Sequence, residues 1–238
     1  MTRKTTIRTL DTTPSIRTQG NTGIELSGRQ NPAETAISMA SEDPSGARIV
    51  GWLENLAPRA AGWVETLQAA DLEAVRIISR TARRPAARLC AIAISKLGNG
   101  WFYLFLAVLL FLRWGGARGF RIALLACVNA GVMHCLYPLI KNRYQRRRPF
   151  KVDPELSSLL STLDEHSFPS GHAMTLSAVL TPIVILWPAM AASSVLMVVS
   201  LAWSRVATAH HYPSDVLAGA LLGLGLGYPI SAGVLAFW

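Results

Sequence analysis

Three short polar stretches hold the residues with chemistry in them, and each is set among apolar runs. The first is Lys141-Asn142-Arg143-Tyr144-Gln145-Arg146-Arg147-Arg148-Pro149. The second is Pro169-Ser170-Gly171-His172. The third opens with Ser204-Arg205, reaches His211 after five residues and Asp215 after three more. Ionisable groups are expensive to hold in hydrocarbon, so their presence there calls for a function. Two histidines, a carboxylate, fixed cations and a helix start suited to an anion are together enough to move a phosphoryl group.

A neutral imidazole attacks phosphorus directly and forms a phosphohistidine, and His211 is placed for that role. Its other ring nitrogen must then be held by an acceptor. Asp215, four positions on, is within reach to hold it and to stabilise the imidazolium that develops. The plainer account makes Tyr212–Asp215 a helix start capped by Ser214, and both can hold. His172 can protonate the leaving alkoxide and then act as base on water. Alone, a histidine at a helix start is more often structural; beside His211 it reads as catalytic. Ser170 and Gly171 offer backbone N–H groups to an anion, and glycine permits close approach. Simple capping by Ser170 is the plainer alternative. Lys141 and Arg148 lie seven apart, about two helical turns, on one face of a helix that Pro149 ends. With Arg205 they can neutralise the phosphoryl oxygens. Arg143, Arg146, Arg147 and Lys151 fall off this spacing and read as headgroup attraction. His210 also lies off it, and His166 reads as a surface residue. His134 and Asn129 read as sources of interhelical hydrogen bonds.

Taken in order, Lys-x6-Arg-Pro, Pro-Ser-Gly-His and Ser-Arg-x5-His-x3-Asp resemble the signature of the lipid phosphate phosphatases. These type 2 phosphatidic acid phosphatases share their site with the vanadium haloperoxidases. Every fixed position is matched, and the resemblance covers about Gly98 to Trp238. It implies a membrane phosphatase with His211, His172 and Asp215 as catalytic residues. Lys141, Arg148, Ser170, Gly171 and Arg205 would bind the phosphate. Lipid phosphotransfer, with a lipid alcohol in place of water, uses the same motifs. A non-catalytic lipid-phosphate binder or transporter is the reading from another class, and the intact histidines argue against it. Haloperoxidase activity fits soluble proteins better than this chain. No His/Asp/Glu cluster has metal-ligand spacing, so neither metal nor cofactor is expected.

The elements that must position these residues are apolar. Of the 238 residues 51% are hydrophobic, and the mean hydropathy is +0.32. Five runs stand out: Leu97–Trp114, Ile122–Ile140, Ala173–Trp187, Ala189–Trp203 and Val216–Trp238. Trp101, Trp114, Trp187, Trp203 and Trp238 sit at or near their ends, as interfacial aromatics do. The expected fold is all-α: a polytopic membrane bundle of about five transmembrane helices, with amphipathic helices before it. A soluble bundle fits the run lengths less well. Three parts are expected: a disordered polar tail over 1–47, amphipathic helices over 48–96, and the membrane-embedded domain over 97–238. The amphipathic part either lies on the membrane surface or packs against the bundle.

Five crossings put all three motifs on one face, together with the N-terminal tail. The positive-inside rule sets that face in the cytoplasm of a bacterial inner membrane. A further crossing over Ala86–Leu97 would reverse it. Residues 1–84 carry 11 Lys/Arg against 9 Asp/Glu, while residues 85–238 carry 12 against 5. The basic excess therefore lies beside the motifs, which favours a phosphorylated lipid and membrane lipids as partners over nucleic acid. Cys90, Cys127 and Cys135 read as buried thiols. Gly219, Gly223 and Gly227 read as a close-packing stripe rather than a nucleotide loop, and Pro229 as a kink.

Overall fold

The computed structural model describes residues 44–237 apart from 99 and 163. The expected tail over 1–47 lies outside the described residues as far as 43. Trp238 and the side chains of Trp101 and Trp114 lie outside them too. The chain divides into units 1–58 and 59–238; the first contributes only helical residues 44–58, and the rest of the account concerns the second.

The described residues are all-α. The helices are α1 (Pro44–Thr81), α2 (Pro85–Leu97), α3 (Trp101–Trp114), α4 (Gly116–Tyr144), α5 (Pro149–Val152), α6 (Gly171–Leu186), α7 (Ala191–Ala207) and α8 (Pro213–Ala236). A short 3-10 turn, Pro188–Met190, leads into α7. The one bridge among them joins Arg147 to His166. Proline stands at the start of α2, α5 and α8, where its missing N–H leaves no hydrogen bond unmade.

Each apolar run became one helix. Gly119–Tyr144, Pro188–Ala207 and Pro213–Ala236 are long and apolar enough to cross a membrane. The bent pair α2–α3 makes a fourth if it is one broken span. That pairing takes up the stretch Ala86–Leu97 without requiring a separate crossing. α6 has 16 residues and is buried from Ala173 to Ile183, so it is the bundle's central helix. This is an integral membrane protein.

α6 runs parallel to α8 and antiparallel to α4. A Cβ on Gly219 would meet the Ser170 carbonyl at 2.5 Å, one on Gly223 would run into the Met174 carbonyl, and one on Gly227 would meet the Ala178 Cα at 3.0 Å. Only glycine lets the two backbones touch this closely. Pro229 lies inside α8, which continues through it to Ala236. Across the bundle, the Asn129 Nδ2 of α4 donates to the Ala178 carbonyl at 3.0 Å and to the Ser231 Oγ at 2.9 Å. Asn129 thus ties α4, α6 and α8 together, as expected of it. His134 differs: its Nδ1 lies 3.0 Å from the Ala130 carbonyl within its own helix.

The second half of α1 packs on the motif end of the bundle. Val75 is fully buried among Leu156, Ala173, Val206, Ala209, Tyr212 and Val216. Of the two readings of the amphipathic stretch, packing therefore holds for this half, although Trp63 and Leu67 remain exposed. α2 packs too, with Ser204 Oγ donating to the Ala91 carbonyl at 2.7 Å.

Two expectations are corrected here. Cys90, Cys127 and Cys135 are exposed, not buried. In lipid an apolar side chain gains nothing by turning inward, so hydropathy does not mark the core. The helix carrying Lys141 ends at Tyr144, where Gln145 takes a left-handed cap at φ 48°. Arg148 lies beyond it, and Pro149 starts α5 instead of ending α4.

Candidate active site

A cavity of about 370 Å³ at the motif end is lined by Lys141, Arg148, Gly171, His172, Arg205 and His211. The three motifs therefore meet, although Lys141 and Arg148 arrive from different elements. Ser170 and Asp215 do not line it; both are fully buried behind it. Ser95, Lys96, Gly98, Gly100 and Tyr103 form the side wall from α2–α3, with Leu160, Ser161, Thr162 and Asp164 above.

His211 is held by an acceptor, but not the one its sequence suggests. Its Nδ1 lies 2.7 Å from the Ser167 carbonyl and 3.6 Å from Asp215 Oδ2. A carbonyl only accepts, so Nδ1 carries the proton and Nε2 keeps its lone pair. Arg148 Nη1 stands 3.5 Å from Nε2. Burial, then the charges of Arg205, Arg148 and Lys141, hold the His211 pKa well below the ordinary histidine value. Near neutral pH the ring is therefore uncharged, with its proton on Nδ1.

Asp215 is occupied elsewhere. Its Oδ2 accepts from the Tyr212 backbone N–H at 2.9 Å, capping α8 from inside. Its Oδ1 accepts from Arg146 Nη1 at 2.7 Å. Its backbone carbonyl accepts from the Ser170 N–H at 3.0 Å, joining the starts of α6 and α8. Asp215 therefore shapes the turn that presents His211 more than it grips the ring. Ser214 is not the cap: Tyr212 holds that position, and the Ser214 hydroxyl bonds Asp71 instead.

Arg148 Nη1 donates to the His210 carbonyl at 2.8 Å. Arg205 Nη1 donates to Ser95 Oγ at 2.5 Å, and the buried Arg205 Nε has no hydrogen-bond partner among the described residues. Ser170 Oγ is likewise buried without one, so its expected cap bond is not made. A buried donor without an acceptor is costly, and an anion in the cavity would relieve the guanidinium.

The profile of the PAP2 superfamily matches residues 118–237, half of the chain. This chain belongs to the PAP2 superfamily. A decaprenylphosphoryl-5-phosphoribose phosphatase of Mycobacterium tuberculosis is 33% identical over 158 residues, covering 64% of this chain and 84% of that protein. A lipid A 1-phosphatase of Rhizobium etli is 39% identical over 57 residues, covering 24% and 25%. Among solved structures, the PAP2-type phosphatidylglycerolphosphate phosphatase of Bacillus subtilis aligns with a TM-score of 0.56 at 26% identity, covering 79% of this chain and 96% of that one. LpxE of Aquifex aeolicus shares the fold with a TM-score of 0.55 at 22% identity, covering 67% and 93%.

This PAP2 site contains residues that the motifs do not announce. Arg146, read from sequence as headgroup attraction, is instead a clamp. It donates to Asp215 and Ser214 through Nη1 and to Asp71 through Nη2, each at 2.7 Å, and its guanidinium stacks 3.7 Å from the Tyr212 ring. The Asp71 carboxylate in turn accepts from the Ser214 N–H at 3.1 Å, closing the first turn of α8 from a different helix. His210 anchors the loop above the cavity: its Nε2 lies 3.0 Å from Ser158 Oγ and 3.1 Å from the Leu160 carbonyl. Burial, then the Arg205 charge, lowers its pKa to about 4. His166 is half-buried, and its carbonyl accepts from Lys141 Nζ at 3.2 Å. Asp164 binds both Lys141 and Arg148. Burial works against its charge, but the Lys141 hydrogen bond and the charges of Lys141 and Arg148 hold its carboxyl below the usual range.

Proposed function

We propose that this PAP2-type membrane phosphatase hydrolyses a phosphomonoester or diphosphate of a lipid through a phosphohistidine at His211, with no metal taking part. The observation that carries this reading is the hydrogen bond from His211 Nδ1 to the Ser167 carbonyl. It leaves the lone pair on Nε2 of a ring that lines one cavity with His172 and the motif cations Lys141, Arg148 and Arg205. Nε2 attacks phosphorus as the bond to the lipid oxygen breaks, and His172 gives that oxygen a proton. Water then attacks the phosphohistidine and surrenders a proton to His172, and inorganic phosphate leaves. A protonated His172 needs negative charge nearby, and the dianionic substrate supplies it. Lys141, Arg148, Arg205 and the N–H of Gly171 are the proposed seat of the phosphoryl oxygens; Ser170, whose N–H is bonded to the Asp215 carbonyl, supports that seat from behind. Asp215 supports the turn under His211.

The relatives named above act on phosphorylated lipids by name and come from bacteria. The proposed location is therefore a bacterial inner membrane. Exposed Arg143, Arg147 and Lys151 support a motif face on the cytoplasmic side. Impermeant maleimide labelling of Lys151→Cys, in a cysteine-free background, should require lysis of spheroplasts; labelling of intact spheroplasts would reverse the orientation.

The function is tested by phosphate release in detergent from a panel of lipid monophosphates and diphosphates, with and without EDTA. Release should resist EDTA and fall about a thousandfold or more in His211→Ala. A labelled phosphoenzyme should be trapped by rapid quenching in the wild type and be absent from that variant. Near-normal turnover in His211→Ala would remove His211 as nucleophile.

A further inference from the structure

Two of the three motif cations in the cavity are already taken. Asp164 Oδ2 lies 2.8 Å from Lys141 Nζ and its Oδ1 lies 2.5 Å from Arg148 Nη2. The Asp164 backbone carbonyl also accepts from Arg148 Nε at 3.2 Å. Each carboxylate oxygen thus serves a different cation, as two oxygens of one phosphate would. The partners differ in exposure. The Lys141 and Arg148 side chains are 6% and 3% exposed, that of Asp164 39%. The cations cannot leave, while the carboxylate sits on the loop side, where water can receive it.

We propose that Asp164 is a further functional residue of this site, an internal competitor that holds Lys141 and Arg148 in the empty enzyme and that phosphate must displace. The inference rests on the reading of those cations as the phosphoryl seat. Three buried cations facing a phosphate dianion would bind the product tightly and release it slowly. A carboxylate tethered beside them competes at high effective concentration. It weakens every anion at the seat and refills it as phosphate leaves. It also keeps the cations paired between turnovers, when a dry and uncompensated cluster would be costly. Arg205, whose Nε has no partner among the described residues, is left to the incoming phosphate.

Competition and mere positioning predict opposite signs. If Asp164 only held Lys141 in place, its loss would weaken phosphate. If it competes, its loss tightens phosphate. The test is inorganic phosphate binding by calorimetry to the full chain in detergent, in the His211→Ala background, so that turnover plays no part. Asp164→Asn, which keeps the shape and drops the charge, should lower the phosphate Kd by about tenfold or more. Asp164→Glu, which keeps a carboxylate, should stay within a few-fold of the parent. With His211 intact, phosphate should also become a stronger product inhibitor in Asp164→Asn, and KM should fall with kcat.

An unchanged or raised Kd in Asp164→Asn overturns the proposal, whatever His211→Ala does to turnover. A lowered Kd beside normal turnover in His211→Ala keeps it and removes only the nucleophile. Phosphate that binds no variant removes both the seat and the competitor.

Discussion

Gly98 gives the sharpest handle on His172. A Cβ added there would stand 2.8 Å from His172 Cδ2, whereas ordinary contact begins at 3.4 Å. In Gly98→Ala the ring must therefore retreat by about 0.6 Å. It cannot do so by moving its helix, since α6 is pressed against α8 through Gly219 and Gly223, and Gly171 lies against the Tyr137 ring. The backbone at residue 98 is ordinary right-handed helix, φ −63°, so alanine brings no strain of its own. The new methyl's other neighbours, Leu201 Cδ1 at 3.3 Å and the Ser95 carbonyl at 3.4 Å, are near contact distance. The fold should survive with a melting temperature within a few degrees. A misplacement approaching 1 Å costs about a hundredfold in a positioned step, so kcat should fall by roughly 30- to 100-fold, up to about 2.7 kcal/mol of barrier. The assay is steady-state phosphate release in detergent, alone and combined with His172→Ala. If the alanine acts through the ring, the double variant will be no slower than His172→Ala alone. A Gly98→Ala enzyme within threefold of wild type, or fully additive losses, would refute the reasoning.

Other substitutions probe the scaffold. Arg146→Met strands the buried Asp215 carboxylate and should cost about 3 kcal/mol, read as a lower melting temperature; Arg146→Lys should recover only part, because one ammonium cannot replace the fork and the stacking on Tyr212. Gly223→Ala has no room beside the Met174 carbonyl and should force α6 from α8, so a sharp loss of folded protein on size exclusion is expected, whereas Gly225→Ala, whose Cβ meets nothing within 4 Å, should be neutral. His210 is harder to protonate folded than unfolded. Its contribution is full above pH 6.5, declines as pH falls and is lost below about pH 4. The loss amounts to about 3 kcal/mol at most, and His210→Gln should flatten the pH dependence of melting over that window.

The fixed spacings led to a single cavity because they record which residues face one another. Lys141, Arg148, His172, Arg205 and His211 all line it. The helical path assumed for the first motif was wrong even so: Gln145 breaks the helix, and Arg148 reaches the site on extended backbone beside the Arg147–His166 bridge. What holds His211 was hidden for a different reason. A backbone carbonyl has no letter of its own, so nothing in the sequence distinguishes Ser167 as the acceptor. Asp164 and Asp71 were equally silent, since their partners lie 23 and 75 positions away or bridge separate helices. The glycine stripe was legible because close packing repeats every four residues. The cysteines misled because burial was inferred from hydropathy in a solvent where the two part company.

The contact between α6 and α8 has a mechanical consequence. His172 lies in the first turn of one helix and His211 two residues before the other, and the Ser170–Asp215 backbone bond pins those ends together. Below the pin, glycine leaves no slack between the two backbones. The histidines therefore behave like jaws milled from one block, at a fixed gauge. The rest of the cavity lining, from α2 and α3, which are bent by 69° to one another, and from the loop that carries Asp164, lies outside that pin.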